Sequence, residues 1–189
     1  GSMSIKEKKK IIRDLYLKNR SKISNRNIVD RKLNENILSF LKKKKNIRLA
    51  GYFAVRGEVS VNQSMCELNI NENTICVPKM VENSKKLIFI SWKNNTPLKR
   101  GKFNIPIPRT CDEVTPNFIL VPLVSFDKKK NRLGYGGGYY DYTMNTLQKK
   151  KVKFFSIGIA YDQQFYSELP TENFDITLDI IITQSKVIS

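Results

Sequence analysis

The residues that first suggest chemistry are four glycines that follow an apolar run. Residues 118–124 are Phe, Ile, Leu, Val, Pro, Leu and Val, and after a basic loop come Gly134, Gly136, Gly137 and Gly138. A segment with helical spacing follows. A strand, a glycine-rich turn and a helix in this order can form a phosphate-binding site. The backbone N–H groups of the turn and the positive end of the helix dipole then point toward the same place. A purely structural turn is the alternative on this pattern alone.

Three acidic residues lie where a metal ion or a substrate could be held. Asp141 falls in the first turn of the helix after the glycines, where it suits the helix dipole or could hold Mg²⁺ beside phosphates. Asp179 interrupts an apolar run at residues 176–183, so it lies near a strand end or faces a site. Glu58 ends a predicted strand, where α/β proteins place ligands, although an exposed loop acid is the alternative.

The chain has no histidine, and this excludes several kinds of chemistry. Without histidine, catalysis must use carboxylates, Lys, Tyr, backbone amides or a hard cation such as Mg²⁺. Phosphoryl transfer fits this restriction because it relies on positioning and charge more than on a protein base. Lys9, Arg13 and Arg132 are by type ordinary solvated cations, yet each could neutralise phosphate if folding brings it to the glycines.

The chain is strongly basic. Lys and Arg number 34 against 17 Asp and Glu, which gives a formal net charge of +17. This charge is compatible with nucleic-acid binding, with attraction of a small polyanionic substrate, or with compositional bias alone. The lysine runs lie near element ends or in loops and do not form one stripe with interleaved aromatic residues. We therefore favour compositional bias and expect no nucleic-acid partner.

Apolar periodicity predicts the elements that must position these residues. Helices are predicted over residues 5–22, from Ser24 or Asn25 to about 41, over 61–71 and over 139–150. Strands are predicted over residues 47–55, 74–80, 87–92, 118–124, 154–161 and 176–183, with an extended proline-containing connector over 97–115. This alternation favours an α/β fold, a single domain with a mostly parallel open sheet flanked by helices.

The remaining features concern the context of the chain. Gly1, Ser2 and Met3 resemble an expression remnant, so we expect the domain to occupy residues 4–189. No apolar run approaches the ~20 residues of a membrane-spanning helix and no signal peptide is visible, so we expect a cytoplasmic protein without a membrane partner. The three cysteines are too few and too irregularly spaced for a disulfide framework, which suits a reducing compartment.

Several segments together resemble the 5-formyltetrahydrofolate cyclo-ligases, also called methenyltetrahydrofolate synthetases. The main resemblance lies in Leu-Val-Pro-Leu-Val-Ser-Phe-Asp at 120–127 and Asn-Arg-Leu-Gly-Tyr-Gly-Gly-Gly-Tyr-Tyr-Asp at 131–141. Tyr-Phe-Ala-Val-Arg-Gly-Glu at 52–58 resembles the family's substrate segment, and Asn-Ile-Pro-Ile-Pro at 104–108 resembles its Asn-Ile-Pro-x-Pro element. These elements stand in family order over nearly the whole chain.

The resemblance implies an ATP- and Mg²⁺-dependent cyclisation of 5-formyltetrahydrofolate to 5,10-methenyltetrahydrofolate, with release of ADP and phosphate. In the family's mechanism the formyl oxygen attacks the γ-phosphate, and N10 then attacks the activated carbon. We further expect a monomer and a folate substrate with or without a polyglutamate tail. Related architectures host sugar-phosphate isomerases and CoA transferases, so an enzyme of that kind is a weaker alternative by fold analogy.

Carried over residue by residue, the resemblance gives each candidate a role. Arg132 and Tyr140 are the expected catalytic residues, and Asp141 and Asp179 the expected Mg²⁺ ligands. Phe53 and Glu58 are the expected folate contacts. The expected ATP contacts are Lys9, Arg13, Arg132, Leu133, Gly134, Tyr135, Gly136, Gly137, Gly138, Tyr139 and Tyr140.

Two positions depart from the family pattern. Gly137 stands where many relatives have Lys or Arg, so one phosphate contact is either missing or supplied from elsewhere. Phe53 stands where relatives often have a smaller aliphatic residue.

Overall fold

An open seven-stranded sheet forms the centre of the protein. The structure, a computed structural model, describes residues 2–109 and 111–189. Its helices are α1 Ile5–Arg20, α2 Arg26–Leu41, α3 Asn62–Ile70 and α4 Tyr139–Lys149, with 3₁₀ turns at Lys102–Asn104 and Asp162–Gln164. Its strands are β1 Arg48–Ala50, β2 Thr74–Met80, β3 Leu87–Trp92, β4 Leu98–Arg100, β5 Pro106–Pro108, β6 Phe118–Pro122, β7 Ser125–Phe126, β8 Arg132–Leu133, β9 Phe155–Ile159, β10 Ile180–Ile182 and β11 Val187–Ile188.

The sheet is parallel at its centre and antiparallel at both edges. The strand order is β11-β10-β9-β6-β1-β2-β3. Strands β10, β9, β6, β1 and β2 run parallel, whereas β3 and β11 pair antiparallel with their neighbours. The predicted α/β fold with a mostly parallel sheet is therefore confirmed. Because the parallel strands share one direction, their carboxyl ends meet at one edge of the sheet.

Helices cover both faces of the sheet. Neighbouring strand residues point to opposite sides, so Leu49 and Leu120 join the core under α2 and α3, whereas Ala50 and Val121 join the core under α4. Burial of each Leu or Ile side chain contributes about 1.5–3 kcal/mol. Among the residues described, no helix has the length and apolar character that a membrane span requires.

Helix α1 lies apart from these two layers. Its Ile12 packs with Leu133 of β8 and with Leu169 in a separate small cluster. The Tyr16 hydroxyl also donates a hydrogen bond to the Phe165 carbonyl at 2.9 Å. The first helix is thereby held against segments from the last third of the chain.

The predicted strand 47–55 is wrong beyond Ala50, because the chain leaves the sheet at Gly51. A Cβ at Gly51 would stand 2.6 Å from the Met65 sulfur, so any larger residue here would force the buried Met65 side chain of α3 to shift. The Tyr52 hydroxyl then donates to the Val59 carbonyl at 2.9 Å and closes a loop over the intervening residues.

Three other predicted segments differ from the structure. The strand 118–124 ends at Pro122, and the hairpin β7–β8 separates it from the glycines, which therefore follow a hairpin and not the buried strand. The connector 97–115 contains the hairpin β4–β5. The strand predicted over 176–183 is limited to β10, and β11 is an edge strand that the apolar pattern did not predict.

Candidate active site

A cleft of about 860 Å³ opens at the carboxyl ends of the parallel strands. Its walls are helix α1, the loop after β1, the ends of β2 and β6, the hairpin β4–β5, the glycine residues 134–138 and the segment 172–175. Open α/β sheets bind their ligands at this edge. All the predicted ATP-binding, folate-binding and catalytic residues line the cleft, and of the two predicted metal ligands only Asp141 does.

The glycines lead into the amino end of α4. Gly136 and Gly138 adopt positive φ angles of 97° and 73°, a backbone conformation that L side chains rarely adopt. Gly138 is the residue immediately before α4, and no side chain caps the first turn of that helix. Among the described residues, the first N–H groups of α4 therefore have no side-chain acceptor, and the residues that carry them, Tyr139, Tyr140 and Asp141, line the cleft.

Helix α1 brings two cations to this loop. Arg13 Nε donates to the Gly134 carbonyl at 2.7 Å, and its guanidinium carbon is 3.5 Å from where a Cβ on Gly136 would stand. Lys9 Nζ forms ion pairs with Glu172 at 2.8 Å and Asp175 at 2.7 Å. Burial alone would lower the pKa of Lys9, but the two carboxylates outweigh burial and raise the pKa, so the ammonium stays charged.

Arg132 and Tyr140 lie together at the base of the glycine loop. The Arg132 side chain is 6% exposed, and its Nη1 is 3.4 Å from Asp141 Oδ1. Its guanidinium also stands 5.8 Å from the centre of the Tyr140 ring. Burial raises the pKa of Tyr140, so its hydroxyl is protonated at neutral pH. Arg132 Nε is buried and has no hydrogen-bond partner among the residues that the structure describes.

The structure does not bring the two predicted Mg²⁺ ligands together. Asp141 lines the cleft, and its Oδ1 accepts a hydrogen bond from the Ile176 N–H at 3.3 Å. Asp179 instead lies at the amino end of β10, where its carboxylate accepts from the Ser156 N–H at 2.7 Å and the Ser156 hydroxyl at 3.2 Å. These two hydrogen bonds explain how Asp179 can stand within an apolar run, because they give its carboxylate polar partners. Asp175, whose neighbour Ile176 donates its N–H to Asp141, also lines the cleft.

The acidic groups of the cleft fit a cation that needs few protein ligands. Within residues 2–109 and 111–189, no group of three or more acid or cysteine side chains could hold a metal ion. Mg²⁺ typically uses one or two carboxylates and takes its other ligands from water and substrate phosphates. Asp141 beside the glycine loop fits that requirement.

Glu58 is a buried acid that lines the cleft. It accepts hydrogen bonds from the Val55 N–H at 2.9 Å and from the Tyr135 hydroxyl at 2.8 Å. Burial raises the pKa of Glu58, although the two hydrogen bonds and the nearby charges of Arg20 and Arg56 oppose that effect. The side chain is therefore fixed in place by these two hydrogen bonds.

Phe53 forms an apolar wall next to Glu58. Its ring is partly buried and packs edge-on against Trp92, with the ring centres 6.2 Å apart. Phe103, at the exposed tip of the hairpin β4–β5, also lines the cleft. A flat heterocyclic ring would find apolar contacts between these aromatic side chains.

Five cations that line the cleft were not predicted as site residues, namely Lys6, Arg56, Lys79, Lys85 and Lys102. Arg20, which contacts the cleft residue Tyr135, was not predicted either. Lys85 lies in the turn between β2 and β3, and its Nζ is 3.7 Å from where a Cβ on Gly138 would stand. Arg20 is buried at the end of α1 and donates to the Tyr135 hydroxyl at 2.6 Å. The spacing of Lys9, Arg13 and Arg20 by four and seven residues, which puts all three on one helical face, was a usable signal for Arg20. The sequence carries no such signal for Lys85.

These features define an α/β protein with a ligand cleft at the carboxyl ends of its strands and a cation-rich glycine loop at one end of that cleft. The sequence profile of the 5-formyltetrahydrofolate cyclo-ligase family matches residues 5–184. The chain therefore belongs to the 5-formyltetrahydrofolate cyclo-ligase family, and it is an enzyme of the cyclo-ligase class.

Individual relatives agree with this assignment. A 5-formyltetrahydrofolate cyclo-ligase of Haemophilus influenzae is 32% identical over 160 residues, which cover 81% of this chain and 84% of that protein. One of Mycoplasma genitalium is 32% identical over 181 residues, covering 92% of this chain and 96% of that protein.

Two solved structures share the fold. The 5,10-methenyltetrahydrofolate synthetase of Aquifex aeolicus superposes with a TM-score of 0.80 at 30% identity, covering 95% of this chain and 91% of that chain. The 5,10-methenyltetrahydrofolate synthetase of Mycoplasma pneumoniae superposes with a TM-score of 0.75 at 28% identity, covering 93% of this chain and 98% of that chain.

Proposed function

We propose that this chain cyclises 5-formyltetrahydrofolate to 5,10-methenyltetrahydrofolate in a reaction that consumes ATP and requires Mg²⁺. The observation that carries the proposal is the assembly of the family's glycine segment, two cations of α1 and Asp141 in one cleft. Family membership supports the folate reaction, and the cleft supports a phosphate-bearing second substrate. Its volume of about 860 Å³ lies near the upper end of the range for ligand sites, as two neighbouring substrates require.

The phosphates of ATP would bind at the glycine loop. The N–H groups at the start of α4 supply donors, and Arg13 and Arg132 supply guanidinium charge next to them. Lys9 reaches the same region, where phosphate would compete with Glu172 and Asp175 for its ammonium group. The full proposed ATP contact set is Lys9, Arg13, Arg132, Leu133, Gly134, Tyr135, Gly136, Gly137, Gly138, Tyr139 and Tyr140.

Mg²⁺ would be held by Asp141, with Asp175 as the other cleft acid near it. When bound, the ion neutralises phosphate charge and orients the γ-phosphate. Asp141 is paired with Arg132 in this structure, so binding of the ion would exchange one positive partner for another. Asp179 is not part of this proposed metal site, because it does not line the cleft and its carboxylate accepts a hydrogen bond from the Ser156 N–H.

The folate would lie in the other half of the cleft, against Phe53 and Glu58. Its formyl oxygen would attack the γ-phosphorus as the bond to ADP breaks, which makes an imidate-like phosphate on the folate. N10 would then attack the same carbon, lose its proton and expel inorganic phosphate as the ring closes. Arg132 and the protonated Tyr140 would stabilise the negative charge that shifts between these oxygens.

The test is a direct assay. Protein is incubated with 5-formyltetrahydrofolate, ATP and Mg²⁺, and the near-ultraviolet absorbance of the methenyl product is followed together with release of phosphate. We expect both signals to rise in equal amounts, and neither to rise when ATP or Mg²⁺ is omitted. Absence of an ATP-dependent product would refute the proposal, and product formed without ATP would favour an isomerase-like or transferase-like activity.

A further inference from the structure

Arg20 is a buried arginine that joins three separate segments without lining the cleft. Its side chain belongs to the last turn of α1, and the residue is 2% exposed. Nη1 donates to the Leu123 carbonyl at 3.0 Å, whereas Nη2 donates to the Arg56 carbonyl at 2.6 Å and to the Tyr135 hydroxyl at 2.6 Å. The planar guanidinium fork can serve several fixed acceptors at once, which a single ammonium group cannot do.

The Tyr135 hydroxyl continues this connection across the cleft. It accepts from Arg20 and donates to Glu58 Oε2 at 2.8 Å, so its one proton is committed and its rotation is blocked. Glu58 Oε1 in turn accepts from the Val55 N–H at 2.9 Å. Hydrogen bonds therefore run without a break from α1, through the glycine loop, to the segment 55–58.

The two segments joined by these hydrogen bonds, the glycine loop and residues 55–58, both contain residues with positive φ angles. Gly136, next to Tyr135, has a φ of 97°, and Arg56 and Gly57 have φ angles of 52° and 80°. Arg56 is a non-glycine residue in the left-handed region, which costs free energy unless surrounding contacts hold it. The Arg20 bond to the Arg56 carbonyl, and the Arg26 bond to the Gly57 carbonyl at 2.7 Å, are such contacts.

The Tyr135 ring is also held between charges. The Arg20 guanidinium carbon lies 5.6 Å from the ring centre and that of Arg56 lies 5.2 Å from it. Cation–π contacts of this kind fix the ring independently of its hydroxyl group. Removal of the hydroxyl alone should therefore break the connection to Glu58 while the ring stays in place.

We propose that Arg20 is a positioning residue that couples the two halves of the cleft through Tyr135 and Glu58. A ligand that orders the glycine loop would also order the segment 55–58, and binding in either half would favour binding in the other. The inference rests on the proposed function for the identity of the two ligands. The hydrogen-bond chain itself does not depend on that identity.

The test measures the coupling between two binding events. Calorimetry gives the dissociation constant of 5-formyltetrahydrofolate with and without a saturating non-hydrolysable ATP analogue and Mg²⁺, and the ratio of the two constants is the coupling factor. We expect a factor of at least about five in the wild type and a factor near one in Tyr135→Phe. Arg20→Lys should also lose most of the coupling, because one ammonium cannot replace the fork.

Tyr16→Phe is the matched control, since it removes one hydroxyl hydrogen bond, to the Phe165 carbonyl, from a tyrosine outside the cleft. It should keep the wild-type coupling factor. A wild-type factor of one, or an unchanged factor in Tyr135→Phe, would overturn the inference while the proposed function stands, provided that the wild type turns over. If the wild type neither binds nor converts the two substrates, the proposed function and the coupling both fail.

A second measurement needs no ligand. Hydrogen exchange of the Val55 amide reports whether Glu58 is still held in place, because that amide donates to the Glu58 carboxylate. We expect Tyr135→Phe to lose protection at residues 55–58, although the substitution lies in the glycine loop, and Tyr16→Phe to leave it unchanged. Equal protection in all three proteins would show that no such connection exists.

Discussion

Positive charge reaches the glycine loop from segments that are distant in sequence. Arg13 comes from α1, Lys85 from the turn between β2 and β3, and Arg132 from the hairpin that precedes the loop. The loop itself, residues 134–138, offers backbone donors but no charged side chain. Lys85 is placed to supply that missing charge.

Lys85→Ala should therefore weaken ATP binding more than catalysis. Among the described residues Lys85 forms no ion pair with an acid, so its removal leaves no buried charge behind. We expect the KM for ATP to rise by roughly five- to tenfold, equivalent to about 1 kcal/mol or slightly more, with little change in kcat. Steady-state kinetics measure both, and Lys93→Ala, an exposed lysine outside the cleft, is the control. Equal KM values in the two variants would exclude the contact.

Asp141→Asn should impair turnover in a way that depends on the metal ion. The amide keeps the size of the side chain but loses the charge that Mg²⁺ requires. We expect turnover to fall by about 100-fold or more at low Mg²⁺ and to recover in part as Mg²⁺ is raised. Asp179→Asn is the comparison, because that acid lies outside the cleft, and it should respond to Mg²⁺ as the wild type does. Wild-type turnover of Asp141→Asn at every Mg²⁺ concentration would contradict the metal assignment.

Glu58 should make the stability of the protein depend on pH. Burial raises its pKa above the ordinary value of 4.5, so the folded state binds the proton more tightly than the unfolded state. Its contribution to the unfolding free energy is therefore full below that value and is lost as pH rises through the raised pKa. Compared with Glu58→Gln, the wild type should lose unfolding free energy as the pH rises above 4.5. Denaturant titrations at several pH values measure the unfolding free energies of both proteins. The same pH dependence in the wild type and in Glu58→Gln would contradict the prediction.

Residue types and order were enough to find most of the candidate site, because Lys9, Arg13, Glu58 and Arg132 all line the cleft. Asp179 shows the limit of that approach. An acid in an apolar run indicates a polar partner, but the sequence does not say whether the partner is a ligand or, as here, the Ser156 N–H and hydroxyl.

At the scale of elements, the helices were predicted closely because each depends on its own periodicity. The predicted helix over 139–150 is observed at Tyr139–Lys149, and the strands Thr74–Met80 and Leu87–Trp92 have the predicted bounds. The hairpin β7–β8 was missed because its two-residue strands carry no apolar pattern. Its turn is held by buried Asp127, which accepts from the N–H groups of Lys129, Asn131 and Leu169 at 3.0–3.1 Å, and the sequence does not show such contacts.

Gly138→Ala should affect both α4 and ligand binding. Gly138 precedes α4 with a φ of 73°, and an alanine in that conformation costs about 1–2 kcal/mol. We expect the unfolding free energy to fall by about that amount and the affinity for ATP to fall as the start of α4 shifts. Gly138→Asn is the matched variant, because asparagine tolerates the left-handed region, and it should lose less stability. Equal losses would mean that backbone strain is not the cause.

At the scale of the whole molecule, the cleft is lined by more cationic than acidic side chains. Eight Lys and Arg side chains line it against four Asp and Glu side chains. Two of those acids form ion pairs with Lys9 and a third with Arg132, whereas the other six cations of the cleft form no ion pair among the described residues. The net charge of +17 therefore has at least one place where it acts on an anionic ligand.

Raising the ionic strength should weaken the capture of anionic substrates. Between about 50 and about 200 mM salt we expect the KM values for ATP and 5-formyltetrahydrofolate to rise roughly several-fold, since screening shortens the reach of the cleft's field. The kcat should change little, because it is measured once the substrates are bound. Unfolding temperatures at the same salt concentrations are the control for a general loss of structure. KM values that do not change with salt would indicate that the net positive charge reflects compositional bias and does not affect substrate binding.

The contacts of α1 also set the order in which the protein can be completed during synthesis. Lys9 bonds to Glu172, which is 163 residues away, and Tyr16 bonds to Phe165 across 149 residues. Helix α1 therefore lacks these two partners until residues that lie 149 and 163 positions further along have been made, and such distant contacts form slowly. A chain interrupted before Glu172 would carry its glycine loop but lack one wall of the cleft, so unfinished copies would have no complete site in which to consume substrate.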